Sequence, residues 1–565
     1  MKWRWRPKAH VTRDIAPDEI FADAQNRAGL DTDRFEGRME KPLGYRSFLG
    51  VGIAIAAIII CYAGQAWNLQ LKNGTAYAER AQQNQLANET LFAPRGLILD
   101  RDGRVLVGNN DPEDASFPTR QYADWRGIAD VVGYAKPPAQ DANGDYYQTQ
   151  SVGQTGAEAA FSNRLTGTNG KELTETDALG RVVSQSTVIP ATPGTNVTLS
   201  IDAPLSQALY DSIAKVAGET HFVGGAGIIM NVHTGEILAL VSYPEYPLQT
   251  MANGTDTPAI KSLLSDPSLP FLDRATQGVF APGSIVKPYV GVGALMEGVI
   301  NENTKILSTG SISIPNPYDP GHPSVFLDWR PNGWVDMRQA LAVSSDVYFY
   351  EVGGGYENQP GLGITKLDQY FKLFGFGQPT GIVGLPEASG NVPSPAWKAA
   401  TFPSDPTWRL GDTYHTAIGQ YGMQVTPIQM VRAVAALANG GGLMTPTILA
   451  SSTPQGKDLN VVPHDVEVVR EGMREGVMSG IAQALNLPFV EVAAKTGTAQ
   501  VGNENQFDNS SVEGFFPYQD PEYAFMIMME KAPAPVDVGA TNVMADVLQW
   551  MHENEPGYLA TTTPK

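Results

Sequence analysis

The sequence predicts an α/β protein with one membrane-spanning helix, a mostly β segment and a larger segment in which helices cover a central antiparallel sheet. Three observations carry this prediction. A 25-residue stretch without charge, 47–71, precedes a region, 107–200, of short apolar runs separated by Gly, Asp, Thr and Asn. A hairpin pattern at 227–242 is followed by a long helical region, and three strands and a helix come last. A terminal sheet that returns to the first hairpin gives the α/β class.

Length and composition limit the number of domains and the kinds of partner. A chain of 565 residues is too long for one ordinary core, so at least two folded units are expected. A net charge of −20 argues against a nucleic-acid partner. The single cysteine, Cys61, excludes an intrachain disulfide, and the seven histidines show no metal-ligand spacing. We therefore predict neither a metal nor another cofactor.

The uncharged stretch 47–71 is interpreted as a permanent membrane anchor. A helix of about 20 residues crosses the hydrocarbon core of a bilayer, and this stretch is apolar from residue 48 to residue 67. A buried core helix is the alternative. Forty-six residues come before the stretch, unlike in a cleavable signal peptide, and Ile60 before Cys61 is not the small residue of a lipoprotein cleavage site.

Basic residues predict the orientation of the anchor. The arm 1–46 contains ten Lys and Arg residues and eight Asp and Glu residues, so its net charge is positive while the rest of the chain is acidic. The positive-inside rule places the arm in the cytoplasm and everything beyond residue 71 outside the membrane. The arm is interpreted as a disordered tail, with a docking helix at 18–24 as the alternative.

Two folded domains and a tail are expected after the anchor. A polar helix is predicted over 75–90, and the Asp102-Gly103 turn predicts a hairpin. We interpret 72–202 as a pedestal, a scaffold of short strands without a catalytic cluster. The second domain, 203–553, is predicted to contain a helix at 205–216, a hairpin of strands 227–232 and 236–242, final strands at 490–501, 511–516 and 523–530, and a helix at 540–551; a tail, 554–565, follows.

A serine and a lysine near the start of a helix predict a nucleophilic site. Pro282 and Gly283 give a turn, so that Ser284 begins a helix predicted to reach about residue 297. Lys287 is three residues along the same helical face, where its amine can reach the serine hydroxyl. A desolvated lysine can activate a serine, and free N–H groups at a helix start suit an oxyanion. Pro288 has no N–H for the Ser284 carbonyl, which predicts a loosened or bent helix.

The chain contains a second serine and lysine at the same spacing. Ser212 and Lys215 lie within the predicted helix 205–216, with no glycine or proline ahead of them. The N–H group of Ser212 is then used in the helix, so we interpret this copy as a solvated helix face.

Two further motifs have ordinary structural readings when taken singly. Ser344-Ser345-Asp346 lies between predicted helices 337–343 and 347–352, where a serine caps the second helix. Lys495-Thr496-Gly497-Thr498 lies in a predicted edge strand, where a glycine indicates a bulge. In this order after Ser284 and Lys287, however, the three motifs form the S-x-x-K, S-x-[N/D], K-T-G set.

This set resembles the signature of penicillin-binding proteins and serine β-lactamases, and residues 92–553 resemble a class B penicillin-binding protein. Further similar blocks are P-R-G-L-I-L-D-R-D-G at 94–103, A-I-G-Q at 417–420 and T-P-I-Q at 426–429. The motif S-S-D-V-Y-F-Y at 344–350 is most similar to the elongation type of the family, the penicillin-binding proteins 2. The resemblance implies a penicillin-binding-type transpeptidase domain on the pedestal.

The resemblance also implies a role for each motif residue. Ser284 would attack the carbonyl of a D-Ala-D-Ala stem peptide, with Lys287 as the proton acceptor and Ser344 as the relay to the leaving amine. The N–H groups of Ser284 and Thr498 would form the oxyanion hole.

The lysine of the third motif, Lys495, would hold the substrate carboxylate together with Thr496 and Thr498, while Gly497 would let the strand approach the peptide. Asp346 departs from the asparagine of many relatives. An ionised aspartate only accepts hydrogen bonds, so it would pair with Lys287 or stay protonated. No role is assigned to residues 509–516.

The function implied is that of a membrane-anchored peptidoglycan D,D-transpeptidase of cell elongation that is acylated by β-lactams. A D,D-carboxypeptidase or a β-lactamase shares the motifs, and an inactive cell-wall scaffold or a β-lactam sensor is an alternative of another class. No glycosyltransferase motif lies in 72–220. The resemblance therefore implies a separate polymerase as partner, a SEDS-family glycosyltransferase in the membrane.

Overall fold

The computed structural model describes residues 44–75, 86–110, 117–176, 182–316, 319–502 and 505–560. It divides into two compact units, Met1–Leu86 and Ala87–Lys565. The predicted cytoplasmic arm lies outside the described residues except for its last three positions, and so does the alternative docking helix at 18–24.

The first unit contains one long apolar helix. Helix α1, Tyr45–Trp67, continues into a π-helical turn, Asn68–Lys72, and its side chains are all exposed. Among the described residues, this 28-residue segment alone is long and apolar enough to cross a membrane. It fits the single-pass anchor that the uncharged stretch predicted.

The pedestal consists mostly of short strands, as predicted. Its strands are β1 Leu86–Leu91, β2 Ile98–Leu99, β3 Val105–Asn110, β4 Thr119–Tyr122, β5 Ala135–Lys136, β6 Ala139–Gln140, β7 Tyr146–Gln148, β8 Val152–Gly153, β9 Gly170–Thr176, β10 Val182–Ile189 and β11 Val197–Thr198. Its short helices are α2 Ala129–Val132, α3 Gly156–Ala160 and α4 Ser162–Leu165. The larger sheets have the orders β1-β9-β10 and β11-β2-β3-β4.

Two predictions for the pedestal have different outcomes. The hairpin at Asp102-Gly103 is confirmed, because β2 and β3 pair antiparallel and Gly103 has a φ of +85°. The helix predicted over 75–90 is wrong at its end, since residues 86–91 form strand β1; residues 76–85 lie outside the described part. Pairing in a sheet satisfies the backbone there, and such tertiary pairing overrides local propensity.

The remaining residues form helices around one large sheet. The helices are α5 Ala203–Thr220, α6 Leu248–Asn253, α7 Thr257–Leu264, α8 Lys287–Met296, α9 Met337–Val343, α10 Asp346–Gly354, α11 Gly363–Leu373, α12 Pro395–Thr401, α13 Leu410–Ala417, α14 Pro427–Ala438, α15 Pro463–Met478 and α16 Ala540–Asn554. Short 3-10 helices lie at Gly283–Val286, Gln483–Leu485 and Pro556–Leu559. The strands are β12 Gly224–Asn231, β13 Ile237–Tyr243, β14 Ile306–Ser308, β15 Ser311–Ile314, β16 Ser324–Leu327, β17 Gly333–Val335, β18 Gly442–Met444, β19 Gly456–Asp458, β20 Ala493–Val501, β21 Phe507–Phe516 and β22 Tyr523–Pro533.

The large sheet has the order β13-β12-β22-β21-β20, and its neighbouring strands are antiparallel. The terminal strands therefore return to the first hairpin, which confirms the predicted α/β arrangement. One face of the sheet packs on a core that includes residues of α8, α9 and α14, and the other packs on α5 and α16. Strand β20, which carries the third motif, is at the edge of the sheet, where alternate backbone groups have no partner strand.

Candidate active site

The turn before α8 holds the first motif in a conformation that the sequence pattern predicted only in part. Gly283 has a φ of +59° and begins the 3-10 helix Gly283–Val286, in which Ser284 is the second residue. The α-helix begins at Lys287, so Pro288 occupies its first turn, where a missing N–H breaks no helical bond. The predicted continuous helix from residue 284 is therefore divided in two. The N–H group of Ser284 remains among the first-turn donors that have no partner within the helix.

Two distant glycines let the rest of the chain pack against this turn. Gly283 N donates to Gly419 O at 3.0 Å, and a Cβ on Gly419 would lie 2.2 Å from the Gly283 carbonyl oxygen. A Cβ on Gly497 would lie 2.8 Å from the Pro282 carbonyl oxygen and 2.6 Å from Ser511 Oγ. The space at Gly497 is therefore filled by the nucleophile turn and by strand β21. Gly419 of the A-I-G-Q block and Gly497 of the third motif therefore both pack against the turn that carries Ser284.

Lys287 is fully buried, and its amine points at the second motif. Its Nζ donates to Asp346 Oδ1 at 2.7 Å, to the Ser344 carbonyl oxygen at 2.8 Å and to Ser344 Oγ at 3.2 Å. Three acceptors match the three N–H groups of an ammonium. Of the two states proposed for Asp346, this geometry corresponds to the ion pair. Ser284 Oγ has no hydrogen bond within the described chain.

Ser344 lies between the lysines of the first and third motifs. It ends α9 in the left-handed region, with a φ of +56°, which turns its side chain toward both amines. Lys495 Nζ donates to Ser344 Oγ at 2.9 Å, and Lys287 Nζ donates to the same atom. Ser345 caps α10, as the structural reading predicted, by accepting from Tyr348 N.

A buried aspartate that the sequence analysis missed holds the second motif in place. Asp328 Oδ2 accepts hydrogen bonds from Ser345 Oγ at 2.6 Å, from Val347 N at 3.2 Å and from Ser308 Oγ at 2.8 Å. Its other oxygen accepts from Trp329 N. An Asp-Trp pair near an Asn-Gly turn is the only local signal, and it does not reveal a contact 17 residues further along the chain.

In the third motif the two threonine side chains are accessible to the cleft, whereas the lysine side chain is buried. Thr498 is exposed and Thr496 half-buried, whereas Lys495 is buried and donates to Ser344 Oγ and to its neighbour's carbonyl, Thr496 O. Burial lowers the pKa of Lys495 well below its ordinary value, and the charge of Lys287 lowers it further.

These residues border one cleft of about 380 Å³, a size suited to a small ligand or a peptide end. Of the predicted site residues, six line the cleft: Ser284, Ser344, Asp346, Thr496, Gly497 and Thr498. The two lysines lie behind them. Ser510 and Ser511, to which no role was assigned, and Trp329, which was not singled out, also line the cleft. The structure thus brings all three motifs together, although 151 residues separate Ser344 from Lys495.

Both the sequence and the fold are similar to those of known proteins. The family model of the penicillin binding protein transpeptidase domain matches residues 225–549, and that of the penicillin-binding protein dimerisation domain matches residues 115–199. The peptidoglycan D,D-transpeptidase MrdA of Escherichia coli (strain K12) is 32% identical over 465 residues, which are 76% of this chain and 70% of the relative.

Two solved structures show the same fold. A crystal structure of Pseudomonas aeruginosa PBP2 in complex with WCK 5153 has a TM-score of 0.70 and 28% identity, covering 85% of this chain and all of the other. A chain of a peptidoglycan synthase complex, described for its coordination of polymerization and crosslinking, has a TM-score of 0.70 at 24% identity. It covers 92% of this chain and all of the other, and at that identity it shows the fold alone.

Proposed function

Since the chain belongs to the penicillin-binding protein transpeptidase family, we propose that Ser284 is its nucleophile and that the three motifs act as one acyl-transfer site. The activity is peptidoglycan D,D-transpeptidation in cell elongation, through a serine acyl-enzyme. β-Lactams acylate the same serine. The assignment of residues is our proposal. The observation that carries it is the cleft that Ser284 lines together with Ser344, whose Oγ accepts hydrogen bonds from two buried lysines.

The ion pair at Lys287 makes the first proton transfer a two-step relay. The three acceptors around Lys287 hold it as an ammonium. An ammonium has no lone pair, so it cannot accept the Ser284 proton directly. One ammonium proton passes to Asp346 Oδ1, and the neutral amine then takes the proton of Ser284 Oγ. Ser284 Oγ forms a bond to the carbonyl carbon of the penultimate D-alanine.

Ser344 delivers the proton that the leaving group needs. Its Oγ is 3.2 Å from Lys287 Nζ, so it gives its proton to the amine of the departing D-alanine and regains one from Lys287. The amine of a second stem peptide then attacks the acyl-enzyme along the reverse route, which forms the cross-link and returns the proton to Ser284. Asp346 gives its proton back to Lys287, which restores the ion pair.

The edge strand supplies charge and donors to the substrate. The N–H groups of Ser284 and Thr498 stabilise the oxyanion. The hydroxyls of Thr496 and Thr498 bind the terminal carboxylate directly, and the charge of Lys495 acts on it from behind Ser344. Gly497 permits this arrangement because it lets β20 lie against the nucleophile turn.

We also propose domain limits, an orientation and a partner. The predicted pedestal, 72–202, and catalytic domain, 203–553, contain the two matched family regions. The basic arm places the N-terminus in the cytoplasm. A SEDS-family glycosyltransferase would supply the glycan strands that this chain cross-links. It would contact the anchor and the 72–220 domain of this chain. Co-purification in mild detergent should recover it, and an unchanged recovery after the anchor and this domain are exchanged for unrelated ones would contradict that contact.

Intact mass spectrometry of the full-length chain in detergent tests the proposed site. We expect benzylpenicillin to add its mass to the chain, the adduct to persist for hours, and Ser284→Ala to remove it. Rapid loss of the adduct with accumulation of hydrolysed drug would favour a β-lactamase. An adduct that survives Ser284→Ala would overturn the assignment of the nucleophile.

A further inference from the structure

Glu513 is a buried glutamate close to the cleft that takes no part in the proton transfers proposed above. Glu513 lies on β21 directly opposite Lys495 on β20, so the two Cβ atoms are about 5 Å apart on the same face of the sheet. Both side chains are at most 1% exposed. Buried charges are costly unless a partner compensates them, so two such residues in one cross-strand pair require an explanation.

The hydrogen bonds of these two residues are complementary. Lys495 Nζ donates two hydrogen bonds, to Ser344 Oγ and Thr496 O, although an ammonium has three N–H groups. Glu513 Oε2 accepts from Tyr289 OH at 2.9 Å, whereas its buried Oε1 has no partner within the described chain. One unused donor and one unused acceptor thus belong to residues that face each other across the sheet.

Two other charged groups near the pair act on Lys495 in opposite directions: Lys287 lowers its pKa and Asp346 raises it. On α8, Lys287 adds a second positive charge, and the carboxylate of Asp346 on α10 is already bonded to it at 2.7 Å. On β22, the residue opposite Glu513 is Met526, which brings no charge. Asp346 is shared with Lys287, whereas Glu513 has no ion-pair partner of its own among the described residues and faces Lys495 directly.

The remaining elements contribute aromatic and apolar groups and one further cation. Tyr289 of α8 packs against Phe374 and Phe376, with ring centroids 4.9 Å and 5.1 Å away. Arg470 of α15 lies over Phe515, two residues from Glu513 along β21. Helix α14 packs on this core with apolar residues of its buried face. The surroundings of Glu513 therefore have a low dielectric constant, in which a nearby opposite charge acts strongly.

We propose that Glu513 is a positioning residue that keeps Lys495 charged, so that Lys495 can donate to Ser344 and attract the substrate carboxylate. This inference rests on the proposed function of the cleft. Burial raises the pKa of Glu513 well above its ordinary value, and the Tyr289 hydrogen bond and Lys495 oppose that shift. In turn, the charge of Asp346 and, next to it, that of Glu513 oppose the lowering of the Lys495 pKa.

The pH dependence of acylation tests this proposal. The second-order rate constant with a fluorescent penicillin is measured for the full-length chain in detergent between about pH 6 and pH 10. For the wild type we expect a fall at alkaline pH as Lys495 loses its proton. In Glu513→Gln, which keeps the side-chain volume but loses the charge, we expect this fall to move to lower pH by about one unit or more.

Glu513→Asp is the matched control, because it keeps the charge and loses one methylene. We expect it to lower the melting temperature and to leave the alkaline fall in place. An unmoved fall in Glu513→Gln, or an equal shift in both variants, would overturn the proposed role. Should the glutamine variant not fold, Glu513→Met removes the charge without burying an amide.

A second background shows whether Glu513 acts through Lys495. Arginine stays charged throughout the pH range, so Lys495→Arg should abolish the alkaline fall, and adding Glu513→Gln should not restore it. A fall that returns in the double variant would contradict action through Lys495. Absence of any wild-type acylation would overturn the proposed function itself, whereas normal acylation with an unmoved profile would overturn only the role of Glu513.

Discussion

Two serine–lysine pairs with identical spacing have different surroundings. Ser284 follows a left-handed glycine, and its hydroxyl has no hydrogen bond to any described residue, while Lys287 is fully buried against Asp346 and Ser344. Ser212 lies within α5, and its Oγ donates to the carbonyl of Val543 on α16 at 3.2 Å.

The lysine of the second pair is largely solvated. The Lys215 side chain is 57% exposed and pairs with Asp546 at 2.9 Å. The prediction of a solvated face is confirmed for Lys215 but wrong for Ser212, which is buried because α16 covers that side of α5. Spacing alone thus does not make a nucleophile; a free hydroxyl and a desolvated amine do.

The largest expected difference is at the two serines. Ser284→Ala should abolish covalent labelling by a fluorescent penicillin, because it removes the hydroxyl that we propose as the nucleophile. Ser212→Ala should label at the wild-type rate. Gel fluorescence of both variants measures this, and equal labelling of the two would remove the distinction between the pairs.

The second-largest difference is expected between substitutions of Lys287 and of Lys215. Lys287→Met removes the proton carrier and leaves Asp346 without its cation, so we expect the acylation rate constant to fall by about 10²- to 10⁴-fold. Lys215→Met breaks an exposed ion pair, and such pairs contribute about 0–1 kcal/mol. Stopped-flow acylation and thermal unfolding of both variants test the contrast. A comparable loss of rate at Lys215 would contradict it.

Adding one methyl group should have opposite effects in the two regions. Gly497→Ala would place a Cβ 2.8 Å from the Pro282 carbonyl oxygen, so we expect about 1–3 kcal/mol of destabilisation and slower acylation. Gly218→Ala, on α5 beyond the second pair, meets open space and should stabilise the helix by about 0.5–1 kcal/mol. The melting temperatures of the two variants test this contrast. A higher melting temperature for Gly497→Ala would show that the nucleophile turn does not pack tightly against Gly497.

The smallest effect concerns the structural bond of the second serine. Ser212→Ala loses one hydrogen bond to Val543 O, which is worth about 1 kcal/mol. We expect a slightly lower melting temperature with no change in acylation. Ser212→Cys, which keeps a weak donor, is the comparison variant. A fall in acylation with unchanged stability would mean that α5 communicates with the cleft.

Local pattern predicted much of this molecule. Helix α9 has the predicted limits, 337–343, and the strands that carry the third motif and the last hairpin lie where apolar runs and turns placed them. The three motifs were identified from residue type and order, because each lies on a short, locally specified element. The error at 86–91 arose where pairing within a sheet outweighed local propensity.

The sequence did not predict which residues of distant segments would contact each other. Nothing near Asp328 indicates that it holds the second motif, and nothing near Gly419 indicates that it faces Gly283. The sequence predicted no role for Glu513, and only the register of β20 and β21 places it against Lys495. Each of these contacts depends on how separate elements pack, which no local period encodes.

By itself, the sequence determined the apolar helix, the order of the domains, the elements that carry the motifs and the chemical types at the site. The tertiary structure alone decided which lysine is buried and what each amine contacts. It also decided that Ser284 is free and Ser212 is bonded. The physical reason is that a side chain's reactivity depends on desolvation and on the charges around it, and both are properties of the packed chain.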